Sequence, residues 1–192
     1  MIPDINEVNN DIFINNLFNW IELEGKTKYD ASVTQYEHCV QTAMIARSQK
    51  SSVGDVVAAL LHDIGHLILN ENKSKKDFLH DDLNHELVGV KWLEKKFPKS
   101  VIESITLHVP AKRYLCGVDK NYYNKLSNAS KMSLDLQGGP MNIKEQEAFK
   151  TLPFHNKAIM LRKWDDDAKK KDLEIISIHD FKNDIILLLK DN

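Results

Sequence analysis

Leu60-Leu61-His62-Asp63-Ile64-Gly65-His66 sets a histidine beside an aspartate, with a second histidine four residues after the first. At about 3.6 residues per turn, a helix through this stretch puts His62 and His66 on one face, with Asp63 about 100° round from His62. The preceding run Val56-Val57-Ala58-Ala59-Leu60-Leu61 reads as a buried helix. Polar groups carried into a core need hydrogen bonds, partners or a metal. Two imidazoles and a carboxylate at one helix end point to a metal site, and a His-Asp pair held by hydrogen bonds alone is the plain alternative. A metal would require further ligands from elsewhere in the chain.

Composition bounds the partners. A chain of 192 residues suits one domain, residues 1–192, and can bury a core without staples. Hydrophobic residues make up 42% and charged residues 28%, and the formal net charge of -2 argues against a nucleic-acid binder. The basic runs Lys73-Ser74-Lys75-Lys76 and Lys169-Lys170-Lys171 are short and flanked by acids, as solvated loops or helix ends are. Cys39 and Cys116 are far apart with no CxxC partner, which fits a reducing compartment and no thiolate metal site. The start lacks a basic and apolar leader, and no stretch approaches 18 consecutive apolar residues. The expectation is a cytoplasmic protein with no membrane segment.

Apolar spacing predicts helices throughout. Ile12, Phe13, Leu17, Phe18, Trp20 and Ile21 mark a first helix stopped by Gly25. Polar Thr27-Lys28-Tyr29-Asp30 caps a second, which carries His38, and Asp55 caps a third that runs into the opening motif. Residues 70–82 read as a polar loop, long enough to suggest a mobile edge of a site. A fourth helix begins near His85 with Leu87, Val90 and Leu93 inward and is ended by Pro98. A fifth, with Val101, Ile102, Ile105, Leu107 and Val109, delivers His108 near its C-terminus just ahead of Pro110. Residues 111–142 read as irregular but ordered. A helix then runs to Leu152, another from His155 to Lys171 keeps Ala158, Ile159, Leu161 and Trp164 inward, and Ile185 to Leu189 form a last packing helix or a strand.

Helix-borne His38, His62, Asp63, His85, His108 and Asp165 make four imidazoles and two carboxylates. Six ligands exceed one tetrahedral zinc site and suit two ions if Asp63 bridges them. Imidazole with carboxylate fits iron, manganese or zinc equally. Each histidine taken singly also reads as an ordinary satisfied residue.

His38, the His62-Asp63 pair and Asp165, in this order, resemble the HD-domain superfamily of helical metalloproteins, and His85 and His108 resemble the ligands of its bimetallic members. Cyclic-dinucleotide phosphodiesterases of that superfamily share the outline. Over about residues 29–169 the chain is similar to the HD-domain mixed-valence diiron oxygenases of phosphonate breakdown, the PhnZ type. The similarity rests on Val33 to Gln41, Leu60 to Leu67, Asn84-His85-Glu86 and Leu107 to Leu115. It is most specific in Lys125 to Ser130, Leu136 to Met141 and Leu161-Arg162-Lys163-Trp164-Asp165.

The resemblance implies an all-α, compact helical HD-domain bundle with a dinuclear metal site in its core and packing helices at both termini. It implies two iron ions, Fe(II)/Fe(III), with dioxygen as co-substrate, in O2-dependent oxidation at C1 of a 1-hydroxyalkylphosphonate and C–P cleavage that releases phosphate. His38, His62, Asp63, His85, His108 and Asp165 would hold the irons. Asp165 is chosen over Asp166 and Asp167 because it follows Trp164, and the other two are expected to be solvated or paired with nearby lysines. Lys112, Ser130, Gln137 and Arg162 would handle the anion, with His66 and Lys112 close to the reacting groups. Arg162 and Asp165, three apart, share a helix face, and a guanidinium suits phosphonate oxygens. Family members acting on the aminoethyl substrate carry a tyrosine and a glutamate ahead of the first histidine. Seven residues before His38 stands Ala31, with Tyr29 and Asp30 displaced nearby as substrate contacts. Two other classes stay open: a metal-dependent phosphohydrolase or phosphodiesterase, and a module that binds an anion without turnover. The pattern leaves the oligomeric state open.

Overall fold

The computed structural model describes residues 1–30, 32–71 and 84–190. Its helices are α1 (Asn10–Glu24), α2 (Gln35–Ser48), α3 (Val53–Leu61), α4 (Ile64–Glu71), α5 (His85–Leu93), α6 (Lys99–Thr106), α7 (His108–Val118), α8 (Lys120–Lys125), α9 (Asn128–Leu136), α10 (Ile143–Lys150), α11 (His155–Asp167) and α12 (Lys182–Ile186). A 3-10 turn, Ile178–Phe181, precedes the last. No strand occurs among the described residues, only an isolated antiparallel bridge between Lys28 and Thr34. The architecture is all-α, and the segment 185–189, open between helix and strand, is helical at its start.

Helix α3 is the axis of the bundle. Its Gly54 and Val56 to Leu61 are all buried, and it packs against α2, α6, α11 and α12. The main core gathers Phe13, Leu17, Phe18, Val40, Leu60, Leu61, Phe97, Ile105, Leu161 and Phe181 around it. Smaller clusters lie under α7 with α10, around Ala111, Met141 and Phe149, and beneath α8 and α9, around Cys116, Leu126 and Leu134.

Several boundaries differ from those predicted, each for a local reason. Thr34 caps α2, not Thr27 to Asp30: its hydroxyl accepts from the Glu37 amide while the Glu37 carboxylate accepts from the Thr34 amide. Ser52 caps α3, with Asp55 accepting from its hydroxyl. The predicted continuous helix through the motif breaks at His62-Asp63 and restarts as α4. The inward face of α5 is His85, Gly89 and Leu93, a four-residue spacing, while Leu87 is exposed. His108 opens α7 instead of closing α6, because proline in a first helical turn removes no needed amide donor. Residues 111–142, read as irregular but ordered with short helical pieces among glycine-proline turns, carry most of α7 and all of the short helices α8 and α9. The predicted loop over residues 70–82 lies almost wholly outside the described residues.

Candidate metal centre and substrate cavity

The candidate ligands sit at helix ends or breaks, where one turn decides where a side chain points. His62 closes α3, Asp63 lies in the break, His85 opens α5 and His108 opens α7. The N-terminal ends of α5 and α7 disfavour a charged imidazolium and so favour neutral, ligating rings at His85 and His108. Close approach of α4 to α5 supports this: a Cβ on Gly65 would lie 1.8 Å from the His85 carbonyl oxygen, and one on Gly89 would lie 3.1 Å from the Gly65 amide nitrogen. His38 and Asp165 come from the interiors of α2 and α11, which pack together.

The six converge, and all are buried. Asp63 stands between two pairs of imidazoles. Its Oδ2 lies 3.3 Å from His62 Nε2 and 3.6 Å from His38 Nε2. Its Oδ1 lies 3.3 Å from His85 Nε2 and 3.6 Å from His108 Nε2. Asp165 Oδ1 completes the first group, 3.4 Å from His38 Nε2. In the second, a ring nitrogen of His66 joins ligand atoms of Asp63 and His85 within 4.8 Å of one another, and the His66 and His85 rings stack at 4.0 Å.

The hydrogen bonding tests whether cations fit here. Nδ1 of His38, His62 and His108 faces the carbonyls of Ala168, Ala59 and Ile105 at 2.9, 2.9 and 2.7 Å. A carbonyl only accepts, so each Nδ1 carries the proton and each Nε2 of the neutral ring presents a lone pair. Yet His38 and His62 Nε2 approach to 3.3 Å, and His85 and His108 Nε2 to 3.2 Å. For His38 and His62, both with the proton on Nδ1, facing lone pairs at that distance call for a cation between them. With the two carboxylates this donor set fits two metal ions, Asp63 supplying one oxygen to each.

Electrostatics keep both carboxylates ionised. Burial alone would raise Asp63, but the imidazoles of His62, His85 and His66 hold it well below the usual carboxylate range. Asp165 is likewise held low against burial, chiefly by the Arg162 guanidinium. Burial and the His85 ring push His108 down to about 3. His62 is lowered by burial but raised overall by Asp63 and Asp165.

Beside the second group opens a cavity of about 240 Å³. Asp63, His66, His85, His108 and Asp165 reach it, whereas His38 and His62 lie behind. One wall is cationic and hydroxylated. Buried Lys112 donates to Ser133 Oγ at 2.8 Å, and Lys169 Nζ lies 3.5 Å from Ser130 Oγ, to which Ser127 also donates at 3.0 Å. Tyr29, Asp30 and Gln35 line the cavity as well, with the Lys169 ammonium 5.4 Å from the centre of the Tyr29 ring. Tyr29 stacks on His38 at 3.8 Å, and its hydroxyl donates to Asp165 Oδ1 at 3.3 Å. Burial, then Asp165 and Asp63, raise that hydroxyl well above the usual tyrosine range, so it stays protonated.

Of the sequence-predicted residues, Tyr29, Asp30, His66, Lys112, Ser130 and Arg162 line the cavity together. Gln137 does not: it caps the C-terminus of α9, and its block instead braces α7 through Arg113, which donates to the Gly139 carbonyl at 2.8 Å. Asp30 Oδ1 accepts the amides of Ser32 and Val33 at 2.6 and 3.1 Å, a turn-forming role. Arg162 is buried rather than a surface ion pair. Its Nη1 meets Asp165 Oδ2 at 2.7 Å, and its Nη2 pairs with Asp166. Asp166 also accepts from Tyr122, so it is neither solvated nor lysine-paired alone, while Asp167 is exposed. Lys169, Ser127 and Ser133 escaped the sequence reading. Their signals were the three-residue serine spacing Ser127, Ser130, Ser133 and the step of four from Asp165 to Lys169.

The HD domain family matches residues 35–180. The chain is 44% identical over 172 residues to hydroxymethylphosphonate dioxygenase of Gimesia maris, covering 90% of this chain and 86% of that one. It is 36% identical over 173 residues to 1-hydroxy-2-(trimethylamino)ethylphosphonate dioxygenase (glycine-betaine-forming) of Leisingera caerulea, covering 90% and 88%. No helix among the described residues is long and apolar enough to cross a membrane. With an aspartate standing between two pairs of imidazoles and relatives aligned along nearly its whole length, the chain belongs to the HD-domain family of phosphonate dioxygenases.

Proposed function

We propose that this protein is a dinuclear iron dioxygenase that cleaves the C–P bond of a small hydroxyalkylphosphonate, and that hydroxymethylphosphonate is its substrate. The observation that carries this reading is the continuity of the cationic wall, Lys112 and Lys169 with Ser130 and Ser133, with the open side of the His-Asp centre in one cavity. A phosphonate held by that wall projects its hydroxyl-bearing carbon toward the ligand cluster. The named relatives act on hydroxylated phosphonates, and dioxygen chemistry calls for a redox-active metal, which zinc is not. The position of Ala31 favours a substrate without an ammonium group, since Asp30 already serves its own turn.

His38, His62, Asp63, His85, His108 and Asp165 would hold the irons, which when bound supply electron exchange with dioxygen and chelation of substrate oxygens. The chain's part is to fix, neutralise and enclose. The carbonyl bonds to Nδ1 lock three rings with Nε2 inward. Lys112 and Lys169 neutralise the phosphonate and meet the charge that grows on its oxygens as the C–P bond breaks. His66, facing the cavity beside His85, is placed to accept or return a proton at the substrate hydroxyl. Atoms balance when both oxygens of O2 enter the products: hydroxymethylphosphonate and O2 give formate and phosphate. The whole chain, 1–192, acts as one domain in this reading, its partner a small anion.

Protein purified without oxygen should hold close to two irons, and on adding hydroxymethylphosphonate and air should consume O2 and release equal amounts of phosphate and formate. Tight zinc occupancy with phosphoester hydrolysis would instead return the protein to the hydrolase class.

A further inference from the structure

Gln35 is the buried polar side chain that neither the core nor the ligand set explains. It opens α2, three residues ahead of His38, and its amide nitrogen donates to the Thr27 carbonyl at 2.9 Å, so its backbone is fixed. The residue is 6% exposed. Neither Nε2 nor Oε1 has a hydrogen-bond partner among the described residues. It lines the substrate cavity, and with Tyr29, His38 and Asp63 it also lines a small apolar pocket behind the bridging aspartate. A buried amide with both ends unpaired costs about 1–3 kcal/mol, and native chains rarely carry one without a purpose. The side chain is also poorly suited to bind a charge: a neutral amide offers one donor edge and one acceptor edge.

We infer that Gln35 is a specificity-determining residue, whose amide recognises the hydroxyl that the substrate bears on C1. This rests on the proposed function and adds which group reads the end of the substrate away from the phosphonate. Lys112 and Lys169 take the phosphonate, and Gln35 lines the same cavity, where it also borders Tyr29, His38 and Asp63 in the pocket behind. A hydroxyl complements an amide because it both accepts from Nε2 and donates to Oε1. An ammonium uses only the acceptor edge, and a methyl group uses neither, leaving the amide unpaired in the complex.

The test compares wild type with Gln35→Met, which keeps length and volume but removes both polar edges. In the metal-free protein the variant should melt about 2–6 °C higher, because an unpaired buried amide has been removed; a residue whose amide holds the fold together would melt lower. In the iron-loaded protein under nitrogen, titration calorimetry with hydroxymethylphosphonate should show affinity weakened about tenfold. Methylphosphonate, which lacks the hydroxyl, should bind wild type and variant within about twofold of each other. A lower melting temperature, or equal losses for both phosphonates, would overturn the role given to Gln35. If wild type binds neither, the functional reading itself falls, and with it the ligand assigned here.

Discussion

The two halves of the metal centre share Asp63 but differ in nearly everything else. The half built on His38, His62 and Asp165 is enclosed. Its rings lie behind the cavity, Tyr29 stacks over one of them, and Asp165 is clamped by Arg162. The half built on His85 and His108 opens to the cavity, with His66 alongside and Lys112 four residues beyond His108. The enclosed ligands come from helix interiors of the core, α2 and α11, and from the end of α3. The open ones come from the first residues of α5 and α7. Both halves are buried, but the rings of one lie behind the cavity while the rings of the other line it, where a substrate can reach them. In the proposed function the enclosed ion is an anchor, and the open one meets the phosphonate.

Removing what the halves share should have the largest effect. Asp63→Ala takes one oxygen from each group, so iron content should drop from about two to near none and turnover should vanish. Retention of one iron would break the bridging assignment. Next comes Arg162→Ala, which strikes the enclosed half alone. It leaves Asp165 and Asp166 without their guanidinium, a loss of about 3–5 kcal/mol for a broken buried pair. The metal-free protein should melt roughly 10 °C lower, and the enclosed iron should bind some 10–100-fold more weakly. Arg162 therefore acts on the metal through Asp165. Metal binding left unchanged, with phosphonate affinity alone reduced, would return Arg162 to a purely anion-binding role.

The same contrast explains what could be read without coordinates. The convergence of all six candidate ligands was legible, because a buried helix carrying His62-Asp63 has few reasons to exist apart from partners in the core. The helices were legible where one face alternates cleanly, as in α1 and α11. Where the signal is a break rather than a period, it was missed. His62-Asp63 reads as helix although the chain bends there, and Pro110 reads as a stop although it starts α7. Burial of Leu87 was expected from hydrophobicity, but the close Gly65 and Gly89 contact turns His85 and Gly89 inward instead. The cationic wall was half legible. Lys169 lies past the end of α11, and only its step of four from Asp165 points it at the cavity. Gln137 was carried by resemblance and lies outside the lining, although Leu136 beside it borders the cavity.

A smaller effect should follow from Gly65→Ala, which separates the halves in the other direction. Its Cβ would meet the His85 carbonyl at 1.8 Å, and backbone cannot yield as a side chain tip does. Helix α5 must shift, taking His85 with it, at a cost of about 1–3 kcal/mol for overpacking. Iron titration should show the open half losing affinity while the enclosed half, whose ligands touch neither glycine, keeps its ion. Gly89→Ala should do the same more weakly, its nearest contact being 3.1 Å. Equal loss of both ions would mean that the halves are not separable.

The smallest effect is expected at Lys169, and it isolates the substrate from the metals. The ammonium lies 3.5 Å from Ser130 Oγ, 3.9 Å from both Asp165 and Asp166, and 5.4 Å from the centre of the Tyr29 ring. Only 15% of the side chain is exposed, but it borders the cavity and is screened more than Lys112. Lys169→Met removes one charge from the phosphonate's wall while leaving every proposed ligand side chain in place, so affinity for hydroxymethylphosphonate should fall about tenfold. The difference from wild type should shrink as salt is raised, because the lost interaction is partly screened. Iron content should stay at two. If Lys169→Met instead releases the enclosed iron, the lysine matters through Asp165 and not through the substrate, and the anion site contracts to Lys112 with its serines.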